Sequence, residues 1–135
     1  MLNVPKEEYG TDGTHIIADF YGIADKDGLN NEDLLKLLAK KAIELSNATL
    51  IDMFTHKFEP QGVTLSAIIS ESSMDLHSYP ESSYLSVSFY TCGPKANPIK
   101  GIEFLRDQFN PEHVNVMSIG RGTKQSMDFK VIHIL

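Results

Sequence analysis

Few side chains in this sequence can do covalent chemistry. There is one thiol, Cys92, and there are five imidazoles, His15, His56, His77, His113 and His133. Hydroxyls cluster in the polar run Glu71-Ser72-Ser73, between two apolar segments. A thiol can act as a nucleophile or a proton donor, and an imidazole as a base near neutral pH. Read alone, each also has an ordinary structural use. A single cysteine fills core space, a strand histidine is satisfied by its neighbours, and a serine sits in a turn. The histidines have no zinc-ligand spacing, and no metal site is expected. A Walker phosphate loop, a G-x-G-x-x-G fingerprint and a G-x-S-x-G elbow are all absent.

The elements that must hold these groups are bounded by size and composition. The chain has 135 residues and a mass of 15.1 kDa, which is one domain. Hydrophobic residues make up 41% and charged residues 22%, enough apolar side chain for a packed core. A net charge of −6 and a pI near 5.2 argue against nucleic acid, whose phosphates need a basic face. No apolar run approaches the ~18 residues of a membrane span, and MLNVPKEEYG has no signal-like apolar stretch. The expectation is a soluble cytoplasmic protein without a membrane partner and, with one cysteine, without an internal disulfide.

Residues 1–12 are polar and aperiodic and read as a loose arm. The segment from His15, in THIIADFYG, reads as a buried strand, and ADKDGLN as a turn-rich connection. Asn31 caps a helix whose apolar positions are Leu34, Leu35, Leu38, Ala42 and Leu45, closed by Ser46-Asn47. Strands are expected over 49–58 and Val63–Ile69, joined by the turn Pro60-Gln61-Gly62. A short strand over 74–79 and an alternating one over 84–90 follow. Pro98 opens a second helix with Ile99, Ile102, Leu105 and Phe109 on its apolar face. Strands over 114–119 and 129–134 flank the basic loop that begins at Arg121 and ends at Lys124. The order is β-α-β-β twice. It predicts an α+β two-layer sandwich, an antiparallel sheet with helices on one face. The other sheet face needs a cover, for which a second copy of the chain is the simplest candidate.

The stretch 58–93, FEPQGVTLSAIISESSMDLHSYPESSYLSVSFYTCG, resembles the bacterial S-adenosylmethionine decarboxylase proenzymes. Their pattern is close to F-x-P-x-G-V-S-G-x-x-x-I-S-E-S-H-x-x-x-H-x-x-P-E, followed by F-T-C-G. Phe58, Pro60, Gly62, Val63, Ile69, Ser70, Glu71, Ser72, His77, Pro80, Glu81, Thr91, Cys92 and Gly93 match it without a gap. The start, GTHIIADFY at 13–21, resembles the family's G-R-H-x-x-A-E-F-Y.

The resemblance implies a lyase of polyamine synthesis that makes its own cofactor. Self-cleavage would fall between Glu71 and Ser72, giving chains 1–71 and 72–135 and turning Ser72 into a pyruvoyl group. Thr64 stands where the family has the hydroxyl that supports the oxyanion, and His77 matches the base that takes the Ser72 α proton. The pyruvoyl carbonyl forms a Schiff base with the substrate amine, and Cys92 matches the proton donor after CO2 loss. Phe58 matches the ring that stacks on adenine, Glu81 the carboxylate that holds the ribose diol, and Tyr21 is a candidate second stacking residue. His15, His56 and Asp19 read as structural.

Extended geometry separates Thr64 from Ser72 by roughly 20 to 26 Å along the chain at ~3.3 Å per residue. That predicts a homodimer with composite sites. Ser72 and Cys92 come from one protomer; Thr64, His77, Glu81 and Phe58 come from the other.

Several positions depart from the family pattern. Thr14, Leu65, Ser73, Tyr79, Ser82-Ser83 and Ser88 replace its arginine, glycine, histidine, tryptophan, late glycine and aspartate. Chemistry kept in altered surroundings leaves two alternatives beside S-adenosylmethionine. One is arginine or ornithine as substrate, with Asp75, Asp19, Glu71 or Glu81 near the cationic tail. The other is an uncleaved, non-catalytic homologue that acts as a binding subunit.

Overall fold

The computed structural model describes residues 11–122 and 130–134. Most of the expected N-terminal arm, the end of the basic loop (Thr123 and Lys124) and Phe129 lie outside the described residues.

Seven strands of the described residues form one sheet. They are β1 (Gly13–Tyr21), β2 (Leu50–Lys57), β3 (Val63–Ile69), β4 (Ser72–Tyr79), β5 (Tyr84–Cys92), β6 (His113–Arg121) and β7 (Lys130–His133). Their order is β2-β3-β4-β5-β1-β6-β7, and every pairing is antiparallel. Among the described residues three α-helices accompany the sheet: α1 (Lys26–Leu29), α2 (Glu32–Leu45) and α3 (Pro98–Phe109). The two β-α-β-β units are β1-α2-β2-β3 and β5-α3-β6-β7, with β4 joining them. This is the expected α+β sandwich.

Strand alternation explains the layering. Ile16, Ala18 and Phe20 of β1, Leu65 and Ala67 of β3, Met74 and Leu76 of β4, and Leu85, Val87 and Phe89 of β5 all point to one face. The α2 and α3 faces pack there, contributing Leu35, Ala39, Ala42, Ile43, Ile102 and Leu105. The intervening residues form the opposite face, which none of these three helices covers. It carries Thr64, His77, Asp75, Ser88, His15 and Cys92 beside the exposed apolar side chains Ile17, Phe54, Ile68 and Met117. No helix among the described residues is long and apolar enough to cross a membrane.

Local details follow from side-chain chemistry. The Leu34 amide donates to Asn31 Oδ1 at 3.0 Å, so Asn31 caps α2 as its position predicts. The core stripe of α2 differs from the expected one: Ile43 is buried and Leu45 is 45% exposed. Ser46 takes the next inward place because α3 crosses closely there. Its hydroxyl is satisfied by the Ala42 carbonyl at 2.8 Å. The turn-rich connection contains the single-turn helix α1, whose cap Asp25 accepts from the Gly28 amide at 2.9 Å. The β4 strand begins at Ser72 rather than residue 74, because Ile69 pairs with Ser72 and Ser70-Glu71 alone make the turn. The polar triplet is thus a tight hairpin end, not a break.

The α2–α3 crossing depends on Gly101. A Cβ there would stand 2.5 Å from Ser46 Oγ, 2.8 Å from the Ala42 carbonyl oxygen and 3.0 Å from the Phe89 ring. Gly101→Ala is expected to lower the unfolding free energy by about 1–3 kcal/mol, read from urea denaturation. An unchanged midpoint would mean the helices separate at little cost.

Candidate functional site

The uncovered face carries two clusters. The first surrounds Ser72. Its hydroxyl lies 3.4 Å from Cys92 Sγ, because the start of β4 pairs with the end of β5. The Cys92 amide donates to the Glu71 carbonyl oxygen at 2.8 Å. The turn is held from its other side by β2. The Thr49 amide donates to Glu71 Oε1 at 3.0 Å, and the Ser70 amide donates to the Thr49 carbonyl at 2.9 Å. Ser72 has φ of +152°, a conformation that residues with a Cβ rarely adopt. Strain of this kind amounts to about 1–3 kcal/mol and persists only where surrounding contacts enforce it.

The second cluster lies at the opposite end of β4. Thr64 Oγ1 and His77 Nδ1 are hydrogen-bonded at 3.1 Å across the β3–β4 pair. They line a cavity of about 210 Å³ with Phe58, Gln61, Gly62, Ser78, Tyr79 and Glu81. Gly62 has φ of +105°, and the Gly62 carbonyl accepts from the Phe58 amide at 2.8 Å, which closes the turn. Phe58 is 47% exposed and meets His56 edge-on at 4.6 Å. Glu81 sits in the one-turn 3₁₀ segment Pro80–Ser82 after β4.

Five residues of extended strand separate Ser72 from His77, a distance of ~16 Å. One chain therefore brings Ser72 together with Cys92, and Thr64 with His77, Phe58 and Glu81, but does not join the two groups. Tyr21 joins neither. It stacks on Tyr84 at 5.0 Å, and Tyr84 stacks at 5.5 Å on Tyr79, which lines Phe58's cavity, so the Tyr84 ring stands between Tyr21 and the cavity wall. Burial, with a hydrogen bond to Asp19, pushes the Tyr84 phenol up to about 12.

The sequence reading takes His15 as structural and does not join it to Arg121; the two stand on β1 and β6, on the far side of β5 from β4. His15 Nε2 contacts Ser88 Oγ at 2.7 Å, and Arg121 donates to His15 Nδ1 at 3.4 Å, so Nε2 carries the ring proton. Burial first, and the Arg121 charge second, hold His15 below the ordinary imidazole range, against an opposing pull from Asp75. Asp75 itself accepts from Ser66 Oγ. Alternation places these residues on one face, yet nothing local in sequence says that β6 brings Arg121 to β1. Among the described residues no three His, Cys, Asp or Glu side chains converge to hold a metal ion.

Comparison with known proteins gives a consistent set of likenesses. A family model described as S-adenosylmethionine decarboxylase matches residues 14–122. An S-adenosylmethionine decarboxylase proenzyme of Acetivibrio thermocellus is 38% identical over 111 residues, which is 82% of this chain and 88% of that protein. One from Prochlorococcus marinus is 35% identical over 121 residues, covering 90% and 96%. The crystal structure of the adenosylmethionine decarboxylase of Aquifex aeolicus superimposes with a TM-score of 0.78 at 29% identity, covering 84% of this chain and 93% of that one.

The His15 environment yields a pH dependence. Its folded value lies below the unfolded value of about 6.5, so the unfolded chain binds more protons just below that pH. Stability from this group is present above pH ~6.5 and is lost as the pH falls through the folded value. His15→Gln is expected to flatten the fall in urea midpoint between pH 7 and 5. An identical slope in both proteins would assign the acid sensitivity elsewhere.

Proposed function

The chain belongs to the S-adenosylmethionine decarboxylase family, and on that premise we propose that it is a proenzyme that cuts itself before Ser72 and then, as a two-fold dimer, decarboxylates S-adenosylmethionine. The observation that carries this reading is the Glu71–Ser72 bond itself. Its carbonyl is already polarised by a backbone donor, and its serine is strained beside a thiol.

Self-cleavage begins with an acyl shift. Ser72 Oγ bonds to the Glu71 carbonyl carbon, the peptide C–N bond breaks, and an ester with a free amine remains. Negative charge develops on the Glu71 oxygen, where the Cys92 amide already donates. Thr64 of a second copy supplies a further donor. If His77 Nδ1–H donates to Thr64 Oγ1, the threonine proton is free for the oxyanion and Nε2 keeps the lone pair that a base needs. That base takes the Ser72 α proton. The Cβ–O bond then breaks and releases the Glu71 carboxylate. Water converts the resulting dehydroalanine to a pyruvoyl group, with loss of ammonia.

The surroundings of residue 72 fit that group: pairing with Thr91 anchors it at the start of β4, and the Cys92 thiol is beside it. The pyruvoyl carbonyl supplies an electrophile that condenses with the substrate amine and accepts the electron pair left by CO2. Cys92 supplies the proton that returns to carbon. Phe58 offers a half-exposed ring for a nucleobase, and Glu81 two acceptor oxygens for a vicinal diol. The ~16 Å between Ser72 and His77 is bridged when the uncovered faces of two copies meet, so that each Ser72 faces its partner's cavity. Nothing in the comparisons supports arginine or ornithine as substrate, or an uncleaved homologue.

Two experiments test this reading. Ser72→Ala and His77→Ala chains should each stay uncut alone, whereas co-expression should cut the His77→Ala chain, whose Ser72 meets an intact partner histidine. Cleavage of His77→Ala by itself, or none in a mixed dimer, contradicts the composite site. Labelled CO2 should be released from S-adenosylmethionine and not from arginine or ornithine. Cys92→Ala keeps the backbone donor, so it should still cleave while turnover falls by about 10²-fold or more. Normal turnover would remove Cys92 from the mechanism.

A further inference from the structure

The proton donor has a neighbour absent from the family pattern. Two residues before the thiol, where that pattern has phenylalanine, this chain has Tyr90. Tyr90 and Cys92 alternate on β5 and share the uncovered face. His15 and Gly13 stand opposite them on β1. A Cβ at Gly13 would lie 2.4 Å from Tyr90 Cε1 and 2.7 Å from its hydroxyl oxygen, so the absent side chain makes the space this ring occupies. The Tyr90 ring thus lies across β1 over Gly13, the residue paired with Cys92, which puts its hydroxyl on the Cys92 side of the strand pair. Arg121 of β6 covers the ring, with Cζ 4.7 Å from the centroid, and the His15 ring flanks it at 5.4 Å.

We propose that Tyr90 is a positioning residue for proton delivery: its hydroxyl holds the Cys92 sulfur and stabilises the thiolate left when the proton goes to substrate carbon. In that step the S–H bond breaks, a C–H bond forms, and the phenol O–H donates to the new thiolate. Burial, and then the contact with Cys92, push the phenol up, which keeps its proton available for donation; Arg121 acts in the opposite direction. A guanidinium over the ring also polarises the phenol and makes it a stronger donor. The Ser72 hydroxyl contacts the thiol at 3.4 Å; the charged and titratable groups of the neighbouring elements are the Glu71 carboxylate, which takes the Thr49 amide, Asp12 just before β1, neutral His15 of β1, and Arg121 of β6. Tyr90 is the one on β5 itself, on Cys92's own face.

The catalytic part of this inference rests on Cys92 as proton donor, but the Tyr90–Cys92 coupling can be read without activity. Tyr90→Phe keeps the ring and its packing and removes only the hydroxyl. The chain has one cysteine, so iodoacetamide alkylation followed by intact mass reports Cys92 alone. Alkylation at neutral pH should be several-fold slower in Tyr90→Phe, with the rate–pH profile displaced to higher pH. Self-cleavage should proceed, kcat should fall several-fold, and KM should change little. Superimposable alkylation profiles would overturn the proposal. If the parent protein releases no CO2 from S-adenosylmethionine, the assigned reaction fails, while the alkylation comparison still decides the role of Tyr90.

Discussion

A single backbone hydrogen bond, from the Cys92 amide to the Glu71 carbonyl, connects the fold to its chemistry. It exists because β4 and β5 pair to their ends and because the β3–β4 hairpin turns on two residues. That pairing draws the Glu71 carbonyl onto a donor and holds Ser72 at a strained φ. The anchor at Thr49 prevents the turn from relaxing away. Strain and polarisation act on the same peptide bond. Both are supplied by sheet register, which the buried side chains of β3, β4 and β5 fix from the helix side.

The stiffness of the same strand imposes the second constraint. An extended chain cannot fold Ser72 back onto His77, so within one copy the imidazole and the Glu71–Ser72 bond stay ~16 Å apart, and the proposed reaction needs two copies. The uncovered face suits that arrangement. It mixes exposed Ile17, Phe54, Ile68 and Met117 with a polar band of Ser66, Asp75, Ser88 and His15. An uncovered sheet face with this much apolar surface is suited to burial against another layer. Covering it would also exclude water from both clusters, which strengthens every hydrogen bond to the developing oxyanion.

Parts of this architecture are legible in the chain alone, for physical reasons. Alternation in YLSVSFY and the cap at Asn31 are local signals, and both elements form where they predict. The outward turn of Leu45 and the burial of Ile43 are not local, since they depend on how closely Gly101 lets α3 approach α2. Residues 71–73 read as a polar interruption because composition cannot distinguish a loop from a tight hairpin. The site residues are separated in sequence by strands: Thr64 meets His77, and Ser72 meets Cys92, only through pairing. Resemblance names them, but cross-strand register brings them together. Tyr21 matches a stacking role by position, yet its ring is separated from the wall of Phe58's cavity by Tyr84. Tyr90 escaped notice because a tyrosine in an alternating strand reads as packing until the space left by Gly13 is seen.

The most direct test is the intact mass of the purified protein after incubation. The account predicts two polypeptides: residues 1–71 ending in the Glu71 carboxylate, and residues 72–135 starting with a ketone in place of an amine. Treated with an amine and cyanoborohydride, that second chain should gain the mass of the amine less one oxygen, as condensation loses water and reduction adds two hydrogens. One continuous polypeptide, with an ordinary serine at position 72, would contradict it.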